Sequence, residues 1–230
     1  MSETVSISGV IVIDKPAGLT SARVVERVKR LLPRGTKVGH AGTLDPFATG
    51  VLVLLVGKAT KSCEAMMDQP KSYDATLKLG ATTATDDPES PEQVTPDVRA
   101  PDRATIAAAL AHFRGTILQR PPAYSAIKLG GRRAYDLARG GEQVEIDARP
   151  VNVYRIELVN YAFPLLDLSI ECGRGTYIRS IARDLGQRLG TGAHLTRLRR
   201  TRVGRYGADE AVALESLRSA NVLDAIRTVK

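Results

Sequence analysis

Residues 38–55 read VGHAGTLDPFATGVLVLL: a turn of small and polar residues, carrying the single carboxylate Asp45, runs straight into an apolar stretch that continues to Val56. Val51–Val56 is short, valine-rich and without polar alternation, so it predicts a strand covered on both faces. The turn before it must then lead into the core. Working outward, GVIVI (Gly9–Ile13) predicts a second buried strand, followed by the turn DKPAG. Thr20 or Ser21 can cap a helix that places Val24, Val28, Leu31 and Leu32 on one face and stops at Pro33.

Farther along, Tyr73, Ala75, Leu77 and Leu79 alternate with Asp74, Thr76 and Lys78, and Leu166, Leu168, Ile170 and Cys172 alternate with Asp167, Ser169 and Glu171. Both patterns predict half-buried strands. The polar segment DDPESPEQVTPDVRAPD reads as surface loop, with a helix after it near 103–113. Beyond the turn GRGT, Ile178, Ile181, Ala182, Leu185 and Leu189 form a helical stripe, with Tyr177 and Arg179 in its first turn. A short helix is expected around Leu214–Ile226. Strands outnumber helices without strict alternation, which predicts an α+β fold: a mixed or antiparallel central sheet with flanking helices. The expected organisation is one domain over 1–230, from which 117–150, rich in turn residues, aromatics and cations, projects as an arm.

The 230 residues, 43% of them hydrophobic, can bury a sizeable core. The opening MSETVSISG has no basic start, and no window approaches the roughly 20 apolar residues of a membrane span. Cys63 and Cys172 lie far apart in apolar contexts, as expected of buried thiols in a reducing compartment. A cytoplasmic location is the expectation. With 33 Lys+Arg against 25 Asp+Glu the chain carries a net charge of +8, which suits a polyanionic partner. Arg174–Arg205 holds nine arginines, no lysine and one acid, Asp184, a composition that favours bidentate phosphate contacts and stacking on bases over simple solubility.

Several chemistries fail on spacing. Gly57-Lys58 resembles the end of a P-loop, but Leu52 stands where that loop needs glycine and Ala59 where it needs Ser or Thr. Three histidines (40, 112, 194) and two isolated cysteines form no zinc motif, so no metal is expected. GRGTY at 173–177 is too short for a dinucleotide fingerprint. Asp45 remains. An aspartate before proline is by default a turn former, yet the small residues at 41, 42, 48 and 50 would let a bulky ligand approach the backbone around it. A lone carboxylate fits covalent nucleophilic catalysis better than glycoside hydrolysis, which uses two.

GHAGTLDPFATGVL, with GVIVIDKPAGLTS before it, PKSYDATLKLG and RPPAYSAIK in the middle and CGRGTYIRSIARDLG…GAHLTRLRRTRVG after it, resembles the TruB family of tRNA pseudouridine synthases, in order from about Gly9 to Tyr206. The resemblance implies isomerisation of the uridine at position 55 of the tRNA T-loop. The bond from ribose C1′ to N1 breaks, the uracil turns over, and the bond re-forms through C5 without cofactor or metal. It implies Asp45 as nucleophile, by attack at C1′, addition at C6 or a glycal route. Arg179 is its expected partner, and Tyr73 the pocket tyrosine that stacks on the base or moves a proton. Tyr177 and Leu198 match further pocket walls, and His40 the residue that enters the space left by the flipped base. Phosphate contacts are expected from Arg197, Arg199, Arg200 and Arg202, a grip on the stem-loop from Lys128, Arg132 and Arg133 on the arm, and Lys15 and Lys71 are further expected substrate-binding residues.

Two departures from the family pattern stand out. Ala84, in GATTAT, occupies the place of an acid common in G-x-x-T-D-T, which puts any role of that acid in question. No segment resembling the C-terminal PUA domain of many members is recognisable. Besides an enzyme acting as a monomer on the bare T-arm, two other readings are compatible with the residues: an RNA chaperone that flips and releases tRNA, and a synthase of the guide-RNA-dependent class.

Overall fold

The computed structural model describes residues 7–228; the reading of the opening stretch rests partly on residues outside these. In chain order the elements are β1 (Gly9–Lys15), α1 (Ser21–Leu31), β2 (Val38–His40), β3 (Thr49–Val56), α2 (Cys63–Asp68), β4 (Lys71–Leu79), β5 (Ala81–Thr83), β6 (Glu92–Val94), α3 (Arg103–Ala111), β7 (Gly115–Gln119), β8 (Lys128–Leu129), β9 (Arg132–Arg133), α4 (Ala134–Arg139), β10 (Arg149–Ala162), β11 (Leu165–Cys172), α5 (Ile178–Leu189), β12 (Ala193–Val203), β13 (Tyr206–Gly207) and β14 (Val212–Ala213). The fold is α+β. Two compact units divide the chain: one comprises the residues up to Tyr73 and from Leu198 onward, the other Asp74–Arg197.

In the first unit β1 and β3 pair antiparallel along their length, from Gly9↔Val56 to Lys15↔Gly50. β14 adds to β1 in parallel, so the sheet is mixed. The other edge of β3 is shared. Its start pairs in parallel with β12, Arg200 opposite Gly50, and its end pairs antiparallel with β2, His40 opposite Leu54. The unbroken apolar run of β3 is explained by two cores. Leu52, Leu54 and Val56 pack with Ile11, Ile13, Val24 and Val28, whereas Val51, Val53 and Leu55 pack with Val10, Val12, Val203 and Tyr206. Thr20 caps α1, its hydroxyl accepting from the Arg23 amide at 3.1 Å.

The second unit is built on the antiparallel run β11–β10–β7, with β4 on the far side of β11. The alternation in Tyr73–Leu79 and Leu166–Cys172 appears as alternating burial, as expected of sheet with one wet face. Three elements differ from expectation. The polar segment after Thr83 contains the strand β6, paired with β5. Arg197–Arg202, for which the sequence predicted no element, lies in strand β12. Leu214–Ile226 is not an α-helix: a 3₁₀ turn spans Leu214–Ser216, and the Asn221 side chain accepts from the Arg218 amide and donates to Ser216 O, local bonds that compete with helix formation. The segment instead lays Leu214, Leu217 and Val222 onto the first core.

Candidate active site

Between β2 and β3 the chain makes the turn that holds Asp45. Gly42, at φ 107°, takes a conformation that favours glycine, and Ala48 N donates to Asp45 O at 3.2 Å. Side chains anchor the turn on both sides of Asp45. Ser21 Oγ accepts from Leu44 N at 2.9 Å and lies 3.1 Å from Leu44 O, to which it donates. Pro46 O accepts from Gly18 N at 2.8 Å and from Lys15 Nζ at 3.1 Å. The Lys15 ammonium, fully buried, also donates to Pro16 O and Leu19 O, both at 2.8 Å. Arg200, 1% exposed, donates from Nη2 to Gly42 O, from Nη1 to Thr43 O and from Nε to Val51 O. The half-buried carboxylate thus sits on a backbone whose carbonyls are fixed before and after it.

His40 ends β2. Burial first, and the Arg200 charge second, hold its imidazole below the ordinary value of 6.5, which favours the neutral ring at neutral pH. Its Nδ1 is buried without a hydrogen-bond partner among the described residues, and the Cys63 thiol donates to its carbonyl at 3.5 Å. Tyr73 is buried on the inner face of β4, and Leu198 is buried on β12, two residues before Arg200.

The second unit holds the other proposed groups. Arg179, in the first turn of α5, is buried, donates to Thr85 O at 3.1 Å and Tyr124 O at 3.0 Å, and pairs with Asp87 at 3.5 Å. Asp87 in turn accepts from the Thr85 hydroxyl at 2.5 Å and the Glu89 amide at 2.9 Å. One helical turn on, Arg183 pairs with Asp86 at 3.2 Å and donates to Arg120 O at 2.8 Å. Burial pushes the Asp86 carboxyl up to about 6 against the opposing pull of Arg183 and Arg179. Tyr177 exchanges backbone bonds with the Gln119 side chain, and its ring lies 5.7 Å beneath the Arg149 guanidinium. Ala84 is exposed. The carboxylates facing α5 come from Asp86 and Asp87, which sequence reasoning passed over because it looked for the acid at 84.

Three expected RNA contacts are corrected by burial: Lys15 and Arg200 are fully buried on backbone carbonyls, and Lys71, also buried, donates to Met67 O. Arg199, half-buried, is in a bidentate pair with Asp14 at 2.9 and 3.0 Å. The spacing of two between Leu198 and Arg200 was the available signal, since it puts both on one face; the alternation does not extend to Arg202, which shares that parity and is exposed. Arg197, Arg202, Lys128, Arg132 and Arg133 are exposed. Arg132 pairs with Glu142 at 3.0 Å.

Residues 29–178 match the family model described as TruB family pseudouridylate synthase (N terminal domain). Residues 179–227 match the tRNA pseudouridylate synthase B C-terminal domain, which carries the likeness past Tyr206, where the sequence motifs end. The chain is 50% identical over 225 residues to tRNA pseudouridine synthase B of Corynebacterium diphtheriae, covering 94% of this chain and 74% of that protein. It is 51% identical over 215 residues to the protein of the same name in Mycobacterium tuberculosis, covering 91% and 71%. Among solved structures, a chain of a Cbf5-Nop10-Gar1 complex superposes with a TM-score of 0.73 at 30% identity, over 97% of this chain and 60% of that one. A chain of an H/ACA RNP bound to a substrate RNA containing 2′-deoxyuridine gives 0.67 at 30% identity, over 91% and 52%. The chain therefore spans little more than half the length of these two.

Proposed function

This chain belongs to the TruB family of tRNA pseudouridine synthases, which isomerise uridine to pseudouridine in tRNA, and from that premise we propose that its target is the uridine at position 55 of the T-loop, with Asp45 as the nucleophile. The observation that carries the assignment is the anchored turn: Leu44 held by Ser21, Pro46 by Lys15 and Gly18, and Gly42 and Thr43 by Arg200, so that the carboxylate between them is presented without reorganisation. Arg179 is assigned as the guanidinium that orients Asp45, and Tyr73 with Tyr177 and Leu198 as the walls that retain the detached uracil. His40, neutral and half-buried, is assigned to hold the flipped state, which otherwise costs a few kcal/mol of stacking and pairing.

The reaction is atom- and electron-neutral. The C1′–N1 bond breaks, a C1′–C5 bond forms, the C5 proton leaves, and N1 of the released base ends protonated. No redox partner enters that balance, and we assign no cofactor or metal. Exposed cations, Arg197 and Arg202 with Lys128, Arg132 and Arg133, are assigned to the phosphates of the T-arm. The protein acts as a cytoplasmic monomer and needs no guide RNA.

Incubating the chain with unmodified tRNA and mapping pseudouridine tests the assignment. Product is expected at position 55, and also on a bare T-arm hairpin without guide or partner protein. Asp45→Asn should lower the single-turnover rate by at least about a thousandfold, as loss of a nucleophile does, while RNA binding persists. Undiminished product would remove Asp45 from the role, and a requirement for guide RNA would place the chain in the guide-dependent class.

A further inference from the structure

Arg200 was expected to contact phosphate. It is instead among the largest fully buried side chains of the described residues, and the hydrogen-bond partners of its guanidinium among them are backbone carbonyls rather than carboxylates. Burying a charge is costly unless it is well hydrogen-bonded, and an apolar side chain at the same place in β12 would pack without that cost. What the guanidinium gains is specific. The β3 edge is covered by β12 at Gly50 and by β2 from Leu54, with Ala41 N donating to Val53 O between them. Arg200 Nε reaches Val51 O in that interval at 2.7 Å, and its two Nη atoms reach Gly42 O and Thr43 O at 3.2 Å each. One rigid planar group therefore ties the core strand to the first half of the Asp45 turn.

The root of the fork is fixed as well. Gly50, at φ 102°, lies so close to β12 that a Cβ there would come within 2.2 Å of Arg200 O. A lysine could not reproduce the arrangement, because a single ammonium on a flexible stem cannot present donors in the fixed directions that Val51, Thr43 and Gly42 require.

We propose that Arg200 is a positioning residue of the isomerisation: its guanidinium sets the conformation of the turn that carries Asp45, and it does not touch RNA. The proposal rests on the assignment of Asp45 as nucleophile. Three measurements on Arg200→Lys test it, alongside the unaltered protein: single-turnover rate at saturating T-arm hairpin, hairpin affinity, and hydrogen exchange of the amides in 41–48 against those in β1 and β3. The rate should fall roughly a hundredfold, the scale of an ångström's misplacement. Affinity should stay within about threefold, and exchange should quicken about tenfold or more in 41–48 alone. A rate within threefold of the unaltered protein overturns the proposal, as does a loss of affinity that accounts for the loss of rate, or exchange that quickens equally throughout the first unit. Should Arg200→Lys fail to fold, Arg200→Gln, which keeps a planar donor, is read by the same criteria. If the unaltered protein forms no pseudouridine, the assignment of Asp45 fails, while the exchange comparison still decides whether Arg200 governs the turn.

Discussion

The Asp45 turn and the Arg179 cluster solve the same problem, fixing one charged side chain, with different materials. In the first unit the anchors on the turn's backbone include cations and a hydroxyl bonded to peptide groups: Lys15 to Pro46 O, Arg200 to Gly42 O and Thr43 O, Ser21 to Leu44. In the second unit the anchors include carboxylates, Asp87 on Arg179 and Asp86 on Arg183. Peptide carbonyls do not titrate and carboxylates do. The difference teaches that the backbone of the Asp45 turn is held by peptide acceptors indifferent to pH, whereas the Arg179 cluster includes charge pairing that depends on it.

The largest effect expected from this contrast is on stability. Arg179→Met leaves the buried Asp87 without its guanidinium, and breaking a buried pair by removing one partner typically costs about 3–5 kcal/mol. Denaturant unfolding at neutral pH measures it. If Arg179→Met loses less than about 1 kcal/mol, Asp87 is not the structural counter-charge that the comparison requires.

A smaller effect sharpens the pH contrast. Asp86 is raised from its ordinary 3.8 to about 6, so its folded state holds the proton more tightly than its unfolded state. The stability this gives is fully present below 3.8 and is lost as pH rises through about 6; by linkage the change is about 3 kcal/mol at most. His40 has the opposite sign. Its depressed value contributes stability above 6.5 that is lost as pH falls. Asp86→Asn removes the first dependence, so its stability relative to the unaltered protein should improve between pH 4 and pH 7. A constant difference across that range, or one that moves the other way, would show that Arg183 compensates the burial of Asp86 fully.

How far these regions were legible in the sequence follows from the range of the forces that build them. Strands were readable because alternation or its absence records one face or two in contact with the core, and the Asp45 turn because Gly, Pro and Asp restrict the backbone locally. The inward turn of Arg200 was missed because a run of arginines was read as composition, although its spacing of two from Leu198 carried the direction. Asp87 as the counter-charge of Arg179 was not readable at all: the two are 92 positions apart, and only the packing of α5 against the segment after β5 brings them to 3.5 Å. Leu214–Ile226 misled for the reverse reason. Its apolar spacing admits a helix, but the side-chain bonds of Asn221 hold another shape that buries the same residues.

The smallest effect separates arginines that anchor from arginines that bind. β12 carries both kinds within six residues: Arg200 faces inward, whereas Arg197 and Arg202 are exposed. Each phosphate contact releases condensed counterions, so the slope of log affinity against log salt reports how many are made, at roughly 0.7–0.9 per contact. Arg197→Ala and Arg202→Ala should each flatten that slope for T-arm RNA by about this amount, with single-turnover rates at saturation nearly unchanged. Arg200→Lys should leave the slope alone and change the rate. The two phenotypes are distinguishable because counterion release senses only charges that meet the polyanion, whereas the rate at saturation senses only the geometry reached after binding. If Arg197→Ala and Arg202→Ala leave the slope unaltered, these two exposed side chains of β12 do not meet the phosphates, and Lys128, Arg132 and Arg133 are the remaining candidates.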